Sequence, residues 1–513
     1  MAPRVGPSNA LSALHGADRY ERHRPEDTVL YRVVRSYWDS FRERVEATGS
    51  LPRFVVREVE EYLRCGILEY GFIRVECEAC GFARLVALSC KRRGFCPSCL
   101  GRRMSDGAVH LTEKVLPEVQ LRQWVCSLPW GLRVVVGYDR ELCAAVVGAF
   151  VEELLRSYRW RAKRMYGLSS VDDAFPGAVT VIQRFDSALR LNVHAHTLVL
   201  DGVYVRDAGM AGESLSFLRL PAPTEGEVED VAARAAKRVV AILKKQGRSI
   251  EGLSDGDEGG DIEPALVACY HVAARVPVLR VVDPSRIRDD ERVAVVKGFN
   301  VHAGAAIDGR DRKRVERVCR YLVRPPIATP RLGFVGEHVR YELKKVWRDG
   351  TRCVVLDPYD FLARVCAMVP PPRFHMVRFH GVLAPNAALR KEVVASARPS
   401  APPQVAPSRA PLQLPLFGEL FNVGDDSEAN GRRKPWAWLL RHVFAIDVTA
   451  CPKCAGTMRW RNVALIPDAI REGLARAGLS ARGPPMRKSC LLGNSACRSP
   501  RRAGWDNDEG RLR

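Results

Sequence analysis

The run Asn192-Val193-His194-Ala195-His196-Thr197-Leu198-Val199-Leu200-Asp201-Gly202 decides how the chain is read. Val, Leu and Thr dominate it and Asp-Gly closes it, which predicts a β-strand running into a turn. Residues i and i+2 of a strand share a face. His194 and His196 therefore project side by side, and Ala195 points to the opposite face. Two adjacent imidazoles can hold one divalent cation, as metal-assisted phosphoryl chemistry requires. Two histidines on a half-exposed strand are the plainer alternative, and the rest of the chain decides between the two.

Outward from this strand, Val179–Leu200 reads as a strand pair, and a helix is expected near 311–324. In Asp311-Arg312-Lys313-Arg314-Val315-Glu316-Arg317-Val318-Cys319-Arg320-Tyr321-Leu322-Val323-Arg324-Pro325-Pro326 the apolar positions are 315, 318, 319, 322 and 323. That is the stripe of an amphipathic helix, stopped by the prolines. Tyr321 falls off the stripe, on the side of Arg314, Arg317 and Arg324. Arg317 lies one turn before it and Arg324 one turn after. A phosphodiester can dock among such arginines. A phenol, with an ordinary pKa of about 10, is a weak nucleophile until neighbouring cations help it. A surface tyrosine packed over guanidiniums is the alternative.

Cys77-x2-Cys80 and Cys96-x2-Cys99, fifteen residues apart, match the two-knuckle zinc spacing. Each C-x-x-C turn aims two thiolates at one point, so Cys77, Cys80, Cys96 and Cys99 are expected to close a tetrahedral, structural zinc site. Cys65 and Cys90 are nearby thiols able to substitute. Lys91, Arg92, Arg93, Arg102 and Arg103 flank the knuckles, a clustering that suits contact with a phosphate backbone. Cys451-x2-Cys454 is a lone pair: Cys490 and Cys497 are irregularly spaced as partners, and a half-site or a metal-free turn is equally compatible.

The composition agrees with a polyanionic partner. Lys+Arg 80 against Asp+Glu 59 gives a net charge of +21 over 513 residues. No run of about 18 apolar residues suggests a membrane span. The start, Met1 to Gly6, lacks the apolar core of a signal peptide. A cytoplasmic, nucleoid-associated protein is expected, in which the 16 cysteines serve as metal ligands or buried thiols rather than disulfides.

The expected organisation is a helical segment at 1–60, a zinc-binding domain at 61–110 and a main domain at 115–395 interrupted by an acidic, Gly-rich insertion at 250–262. A Pro-rich linker at 396–435, a small C-terminal unit at 436–480 containing Trp436 and Trp438, and a disordered basic tail at 481–513 follow.

Taken together, the cysteine knuckles, Asn192-x-His194-x-His196 and Arg320-Tyr321-Leu322-x-Arg324-Pro325-Pro326 resemble the IS-ninety-one-like family of HUH rolling-circle transposases. Ser89 to Cys99, Trp347 to Thr351 and Phe379 to Asn386 are similar to that family as well, so the resemblance spans about residues 30–390, with a weaker echo at Cys451–Cys454. It implies an α+β fold: an HUH endonuclease core, an antiparallel sheet flanked by helices, with an N-terminal zinc-knuckle domain and a small C-terminal unit.

The resemblance further implies that His194 and His196 bind Mg2+ or Mn2+, and that Tyr321 attacks single-stranded DNA at mobile-element ends and target DNA. The product is a 5′-phosphotyrosine with a free 3′-hydroxyl. His302, in the strand-like Asn300-Val301-His302-Ala303, and Gln183 are candidate third ligands, with Asp186 behind them. Arg92, Arg93, Arg102, Arg103, Arg317 and Arg324 are candidate DNA contacts, and His375 and His380 read as structural.

Two departures from the family stand out. Arg317 occupies the place, one turn before Tyr321, where two-tyrosine members carry their second tyrosine, which reads as a single-tyrosine enzyme. Ala195 replaces the bulky residue found between the histidines in many members. The rival readings are a zinc-dependent DNA-binding protein or decayed transposase without catalysis, and a rolling-circle replication initiator.

Overall fold

The computed structural model describes residues 24–47, 49–206, 215–250, 252, 263–277, 279–282, 294–347, 349–395, 437 and 447–480. Almost all of the acidic stretch at 250–262, the linker at 396–435, Trp436, Trp438, the tail at 481–513 and with it Cys490 and Cys497 lie outside the described residues.

Two helices come first, α1 (Val29–Glu46) and α2 (Arg53–Tyr62), then β1 (Phe72–Cys77), β2 (Ala83–Ala87) and helix α3 (Pro97–Lys114). Next are β3 (Leu121–Ser127), α4 (Trp130–Tyr138), α5 (Arg140–Tyr166), β4 (Gly177–Phe185), β5 (Leu191–Leu200), β6 (Gly202–Arg206) and β7 (Leu215–Arg219). Helices α6 (Glu225–Lys245) and α7 (Pro264–Ala274) lead to β8 (Leu279–Val282), β9 (Ala294–Val296) and β10 (Phe299–Ile307). There follow α8 (Arg312–Leu322), β11 (Leu332–Val335), β12 (His338–Glu342), β13 (Thr351–Leu356), α9 (Pro358–Met368), β14 (Val377–Gly381) and α10 (Arg390–Ala395). Strand β15 (Met458–Ala464) and a helix, Pro467–Arg476, close the described chain.

The histidine run forms β5, in the middle of a six-stranded sheet of order β14-β4-β5-β3-β10-β9. Every pairing in it is antiparallel. The two faces of β5 bury into different cores. Val193 and Ala195 join Ile182, Trp124 and Cys126 against the apolar side of α5, including Val146, Phe150 and Leu154. Leu198 and Leu200 join Val179 and Val181 on the histidine face, beneath Ala108 and Leu111 of α3 and Val315, Cys319 and Leu322 of α8. Helices thus cover both faces of the sheet, and the fold is mixed α and β.

Asp139 caps α5 by accepting from the Glu141 and Leu142 amides, and Gly167 ends it in the left-handed conformation. At the end of β5, Asp201-Gly202 makes the expected turn. A Cβ on Gly202 would meet the Leu218 carbonyl oxygen at 2.2 Å, so only glycine lets β6 pass this close to β7.

Helix α8 is N-capped by Asp311, whose carboxylate accepts from the Arg314 amide. Burying Val315 and Leu322 supplies about 1.5–3 kcal/mol each. The surface pair Glu316–Arg320 adds only about 0.2–0.5 kcal/mol, so packing fixes this helix on the sheet. Arg312 ties its start to the end of α3 by donating to the Leu116 carbonyl at 3.0 Å and to the Thr112 carbonyl.

Arginine also fastens helix ends inside the main core. Arg184 donates to carbonyls at the ends of α4 (Gly137, 2.7 Å) and α9 (Ala367, 3.0 Å), and Arg364 donates to Ala273 at the end of α7 (2.9 Å). These contacts satisfy terminal carbonyls that the helices leave open.

The remaining sheets are a four-stranded one of order β11-β12-β13-β8, the β6–β7 pair, and a three-stranded one of order β15-β1-β2. The last joins the C-terminal unit to the cysteine-rich N-terminal region. Among the described residues no helix is long and apolar enough to cross a membrane.

Candidate functional site

His194 and His196 share one face of β5, their ring centroids 4.9 Å apart. His196 is buried, whereas His194 lies nearer the surface. His194 Nδ1 lies 2.5 Å from the Asn192 carbonyl oxygen and donates to it, which leaves the Nε2 lone pair outward. The Nδ1 of His196 lies 2.8 Å from the Gln123 side-chain amide nitrogen, which donates to it as placed. With that amide turned to present its oxygen, Nδ1–H donates to Gln123 and Nε2 again carries the lone pair. Burial pushes His196 down to about 3, helped by the neighbouring His194 and Arg324, and burial likewise lowers His194. Both imidazoles are therefore neutral near pH 7, the form in which histidine ligates metal.

Tyr321 sits near the C-terminal end of α8, its ring 5.9 Å from that of His196 and nearly perpendicular to it. Its ring packs beside the histidine-face core, with the Arg324 guanidinium 4.4 Å and the Lys344 ammonium 5.0 Å from the ring centre. The sequence places Tyr321 among arginines, off the apolar stripe. The fold keeps Arg324 over its ring and also turns that ring toward the histidines, at the border between core and surface. Arg317 is exposed, and α8 carries one tyrosine.

His302 lies opposite Val125, and Val125 lies opposite His196, so a whole strand separates the two histidines. Two strand spacings put their backbones roughly 10 Å apart. His302 is exposed, and among the described residues it is not gathered with this pair into a cluster of metal-ligating groups. Asp186 is spent on its own turn, accepting from the Ala188 and Arg190 amides and the Arg190 side chain. Gln183 does sit opposite His194, but its amide nitrogen donates to the carbonyls of Tyr321 (3.2 Å) and Leu322 (2.8 Å). Among the described residues no third His, Cys, Asp or Glu closes on the histidine pair.

The donor set nonetheless fits a divalent ion. The Nε2 of His196 is buried with no hydrogen-bond partner among the described residues, a costly state that a cation relieves. Two imidazoles leave most of an octahedral shell for water and phosphate oxygens.

The cysteines assemble differently from their spacing. Cys96 and Cys99 join Cys65 and Cys90, and Cys77 and Cys80 join Cys451 and Cys454. The site expected from Cys77, Cys80, Cys96 and Cys99 does not form, because the fifteen intervening residues contain the return strand of a hairpin. Cys77 and Cys80 lie at the tip of β1–β2. Cys90 follows β2 back to the base, where the Gly66 amide donates to Leu88. One strand length, roughly 17 Å, separates the two ends.

In the basal cluster the Sγ–Sγ distances are 3.4 Å for Cys90–Cys99, 3.6 Å for Cys65–Cys96 and 3.8 Å for Cys65–Cys99, and all four sulfurs lie within 4.8 Å of one another. A tetrahedral zinc with Zn–S of about 2.3 Å spaces its sulfurs by about 3.8 Å, so the basal cluster fits a structural zinc. Cys96 and Cys99 open α3, whose N-terminus favours thiolates. The buried Glu58 carboxylate braces the preceding loop by accepting from the Arg93 and Gly94 amides, both at 3.2 Å. Burial raises Glu58 above its ordinary range.

Of the candidate DNA contacts, Arg92 pairs with Glu61 at 2.5 Å and Arg103 donates to the Lys91 carbonyl at 2.8 Å. Arg93 is exposed, Arg102 half-buried. Sequence reasoning missed Gln123, Lys344 and Glu58. Gln123 left a faint signal, as a polar residue bordering the apolar run Trp124-Val125-Cys126.

Comparison with known families bears directly on these two regions. Residues 177–391, which carry the histidines and Tyr321, match a family model described as "Putative transposase". Residues 33–128, which carry the basal cluster, match one described as "Transposase zinc-binding domain". Searches of curated proteins and of solved structures return no match. The chain is a transposase, and its partner is DNA. It belongs to the IS-ninety-one-like family and carries that family's N-terminal zinc-binding domain.

Proposed function

We propose that this chain nicks and rejoins single-stranded DNA at the ends of a rolling-circle mobile element, with Tyr321 as nucleophile on an HUH-type core. The observation that carries this reading is convergence: two strand histidines and a helix tyrosine, distant in sequence, meet ring against ring at 5.9 Å beside Arg324 and Lys344.

The Tyr321 Oη attacks the scissile phosphorus and gives up its proton. A new P–O bond forms to the tyrosine as the bond to the 3′ oxygen breaks, and that oxygen leaves as a 3′-hydroxyl by taking up a proton. The linkage keeps the energy of the phosphodiester, so a second 3′-hydroxyl can reverse the reaction and join strands without ATP. His194 and His196 would hold Mg2+ or Mn2+, which would supply polarisation of the phosphate and offset developing negative charge. Arg324 and Lys344 set positive charge beside the ring, where a phosphate would dock. Arg93, Arg102, Arg103 and Arg317 serve as backbone contacts for the strand, with Arg92 held by Glu61.

Labelled single-stranded oligonucleotides, including DNA flanking the gene, incubated with the protein and Mn2+ or Mg2+, test this on a denaturing gel. A slow, protease-sensitive adduct is expected in the parent chain and none in Tyr321→Phe, which should still bind DNA. Absence of the adduct across the panel, with zinc-dependent DNA binding retained, would establish the non-catalytic binding protein instead.

A further inference from the structure

The matched zinc-binding domain accounts for the basal cysteine cluster, which lies wholly within residues 33–128. It leaves Cys77 and Cys80 with ligand partners found far outside it. Cys77 Sγ lies 3.5 Å from Cys454 Sγ, and Cys80 Sγ lies 3.6 Å from Cys451 Sγ, across 377 and 371 residues of sequence. All four sulfurs lie within 4.8 Å of one another. A disulfide needs about 2.05 Å, whereas a zinc tetrahedron needs about 3.8 Å.

We propose that Cys77, Cys80, Cys451 and Cys454 bind a second zinc ion, which clasps residues 447–480 onto the sheet of the N-terminal domain.

The two C-x-x-C turns are built alike. The Gly81 amide donates to the Cys77 carbonyl at 3.0 Å, and the Ala455 amide donates to the Cys451 carbonyl at 2.9 Å. The residue after each second cysteine is left-handed, Gly81 at φ +69° and Ala455 at φ +57°. Glycine adopts that conformation freely, but alanine pays for it in steric strain, so something must hold the second turn in shape. Gly456 follows, and a Cβ there would stand 3.1 Å from Cys77 Sγ and 3.3 Å from Cys454 Sγ. The backbone therefore closes tightly around the sulfurs.

The sheet brings the turns together. Strand β15 runs antiparallel to β1 with Cys77 opposite Met458, and the Glu78 amide donates to the Thr457 carbonyl. Little apolar surface secures this attachment. One buried cluster comprises Ile73, Val75, Cys77, Cys451 and Met458, and the other is Phe72 and Leu68 against Ala464, Ile470 and Leu474. A core this small ordinarily needs a metal or a cross-link. The clasp thus joins a segment beyond the transposase match to the region ahead of it, making the chain a loop closed by metal.

The clasp stands apart from Tyr321 chemistry, and zinc content and attachment of the C-terminal segment report on it directly. Zinc is counted by elemental analysis of the full chain in a His194→Ala background, so that an ion at the histidine pair is not included. Two zinc ions per chain are expected, falling to one in Cys451→Ser/Cys454→Ser. Cys454→His, which keeps four ligands, should hold two.

A site-specific protease sequence inserted after Pro415 then tests the clasp. After cleavage the C-terminal fragment should co-elute with the rest of the chain and separate from it in the double Ser variant. A single zinc in the parent, unchanged in the double variant, overturns the proposal. So does a metal-free pair of disulfides seen by intact mass under non-reducing conditions, or a fragment that stays attached in both proteins.

Discussion

The side-chain amide of Gln183, on β4, is hydrogen-bonded to the main chain of Tyr321, on α8. Its nitrogen donates to the Tyr321 carbonyl at 3.2 Å and to the Leu322 carbonyl at 2.8 Å. The last carbonyls of a helix have no partner within it, so Gln183 satisfies the end of α8 and fixes the height of the tyrosine over the histidines. Gln183→Glu removes the donor and sets a carboxylate against two carbonyl oxygens. A cost of about 1–3 kcal/mol in thermal unfolding is expected, with adduct formation reduced at least tenfold and DNA affinity little changed. Gln183→Met, which loses the bonds without the repulsion, should be intermediate. Parent-like cleavage rates in Gln183→Glu would show that the helix end is held by packing alone.

Gln123 performs a comparable service for His196, whose Nδ1 it faces at 2.8 Å. Groups that orient a ligating imidazole typically contribute a factor of about 10–100 in metal affinity. Gln123→Leu should therefore raise the Mn2+ concentration needed for half-maximal adduct formation by about that factor. The maximal rate at saturating Mn2+ should fall much less. A variant with unchanged Mn2+ dependence would remove Gln123 from the site.

What the sequence disclosed follows from the range of the interactions concerned. The alternation around His194 and the stripe on Arg312–Leu322 are local periodicities, and both elements form where they were expected. The meeting of His196 with Tyr321 depends on α8 crossing the sheet, which no local pattern encodes. The family resemblance supplied it. Cysteine spacing misled for a related reason. Fifteen residues between C-x-x-C pairs say nothing of whether the chain between them is a loop or a hairpin that carries the second pair a strand length away. Cys451–Cys454 looked like an orphan because its partners lie 371 and 377 residues earlier. His302 was placed correctly on a strand, but strand order sets β3 between it and the histidines.

Arg122 and Asp201 form a buried bidentate pair at 2.9 and 2.7 Å, joined by the Tyr158 hydroxyl, which donates to Asp201 at 3.1 Å. Arg122 also donates to the Gly304 carbonyl at 2.7 Å, so this network pins β3, β10, α5 and the end of β5 together. Removing one partner strands a buried charge. Asp201→Ala should destabilise by about 3–5 kcal/mol. Replacing both by apolar residues, Arg122→Met with Asp201→Leu, relieves that charge and should recover a large part of the loss. Thermal unfolding of the three variants beside the parent measures this. A double variant no more stable than Asp201→Ala would mean that the hydrogen bonds to Tyr158 and Gly304, rather than the stranded charge, dominate.

His380, on the edge strand β14 opposite Ala178, gives the fold an acid-sensitive element away from the chemistry. Burial pushes it down to about 4, Arg378 adding to the effect, and its Nε2 has no hydrogen-bond partner among the described residues. The sign follows from linkage. In the unfolded chain a histidine takes up its proton near pH 6.5, whereas in the fold His380 resists protonation until about pH 4. Between these values the unfolded state binds more protons, so the stabilisation present above pH 6.5 is lost progressively as pH falls. From pH 7 to pH 5 the loss from this group is about 1–2 kcal/mol. His380→Leu, which keeps the strand apolar and cannot titrate, should flatten that part of the stability profile while the parent loses several degrees in melting temperature. Superimposable profiles for the two proteins would mean that His380 becomes protonated in the fold as readily as in the unfolded chain.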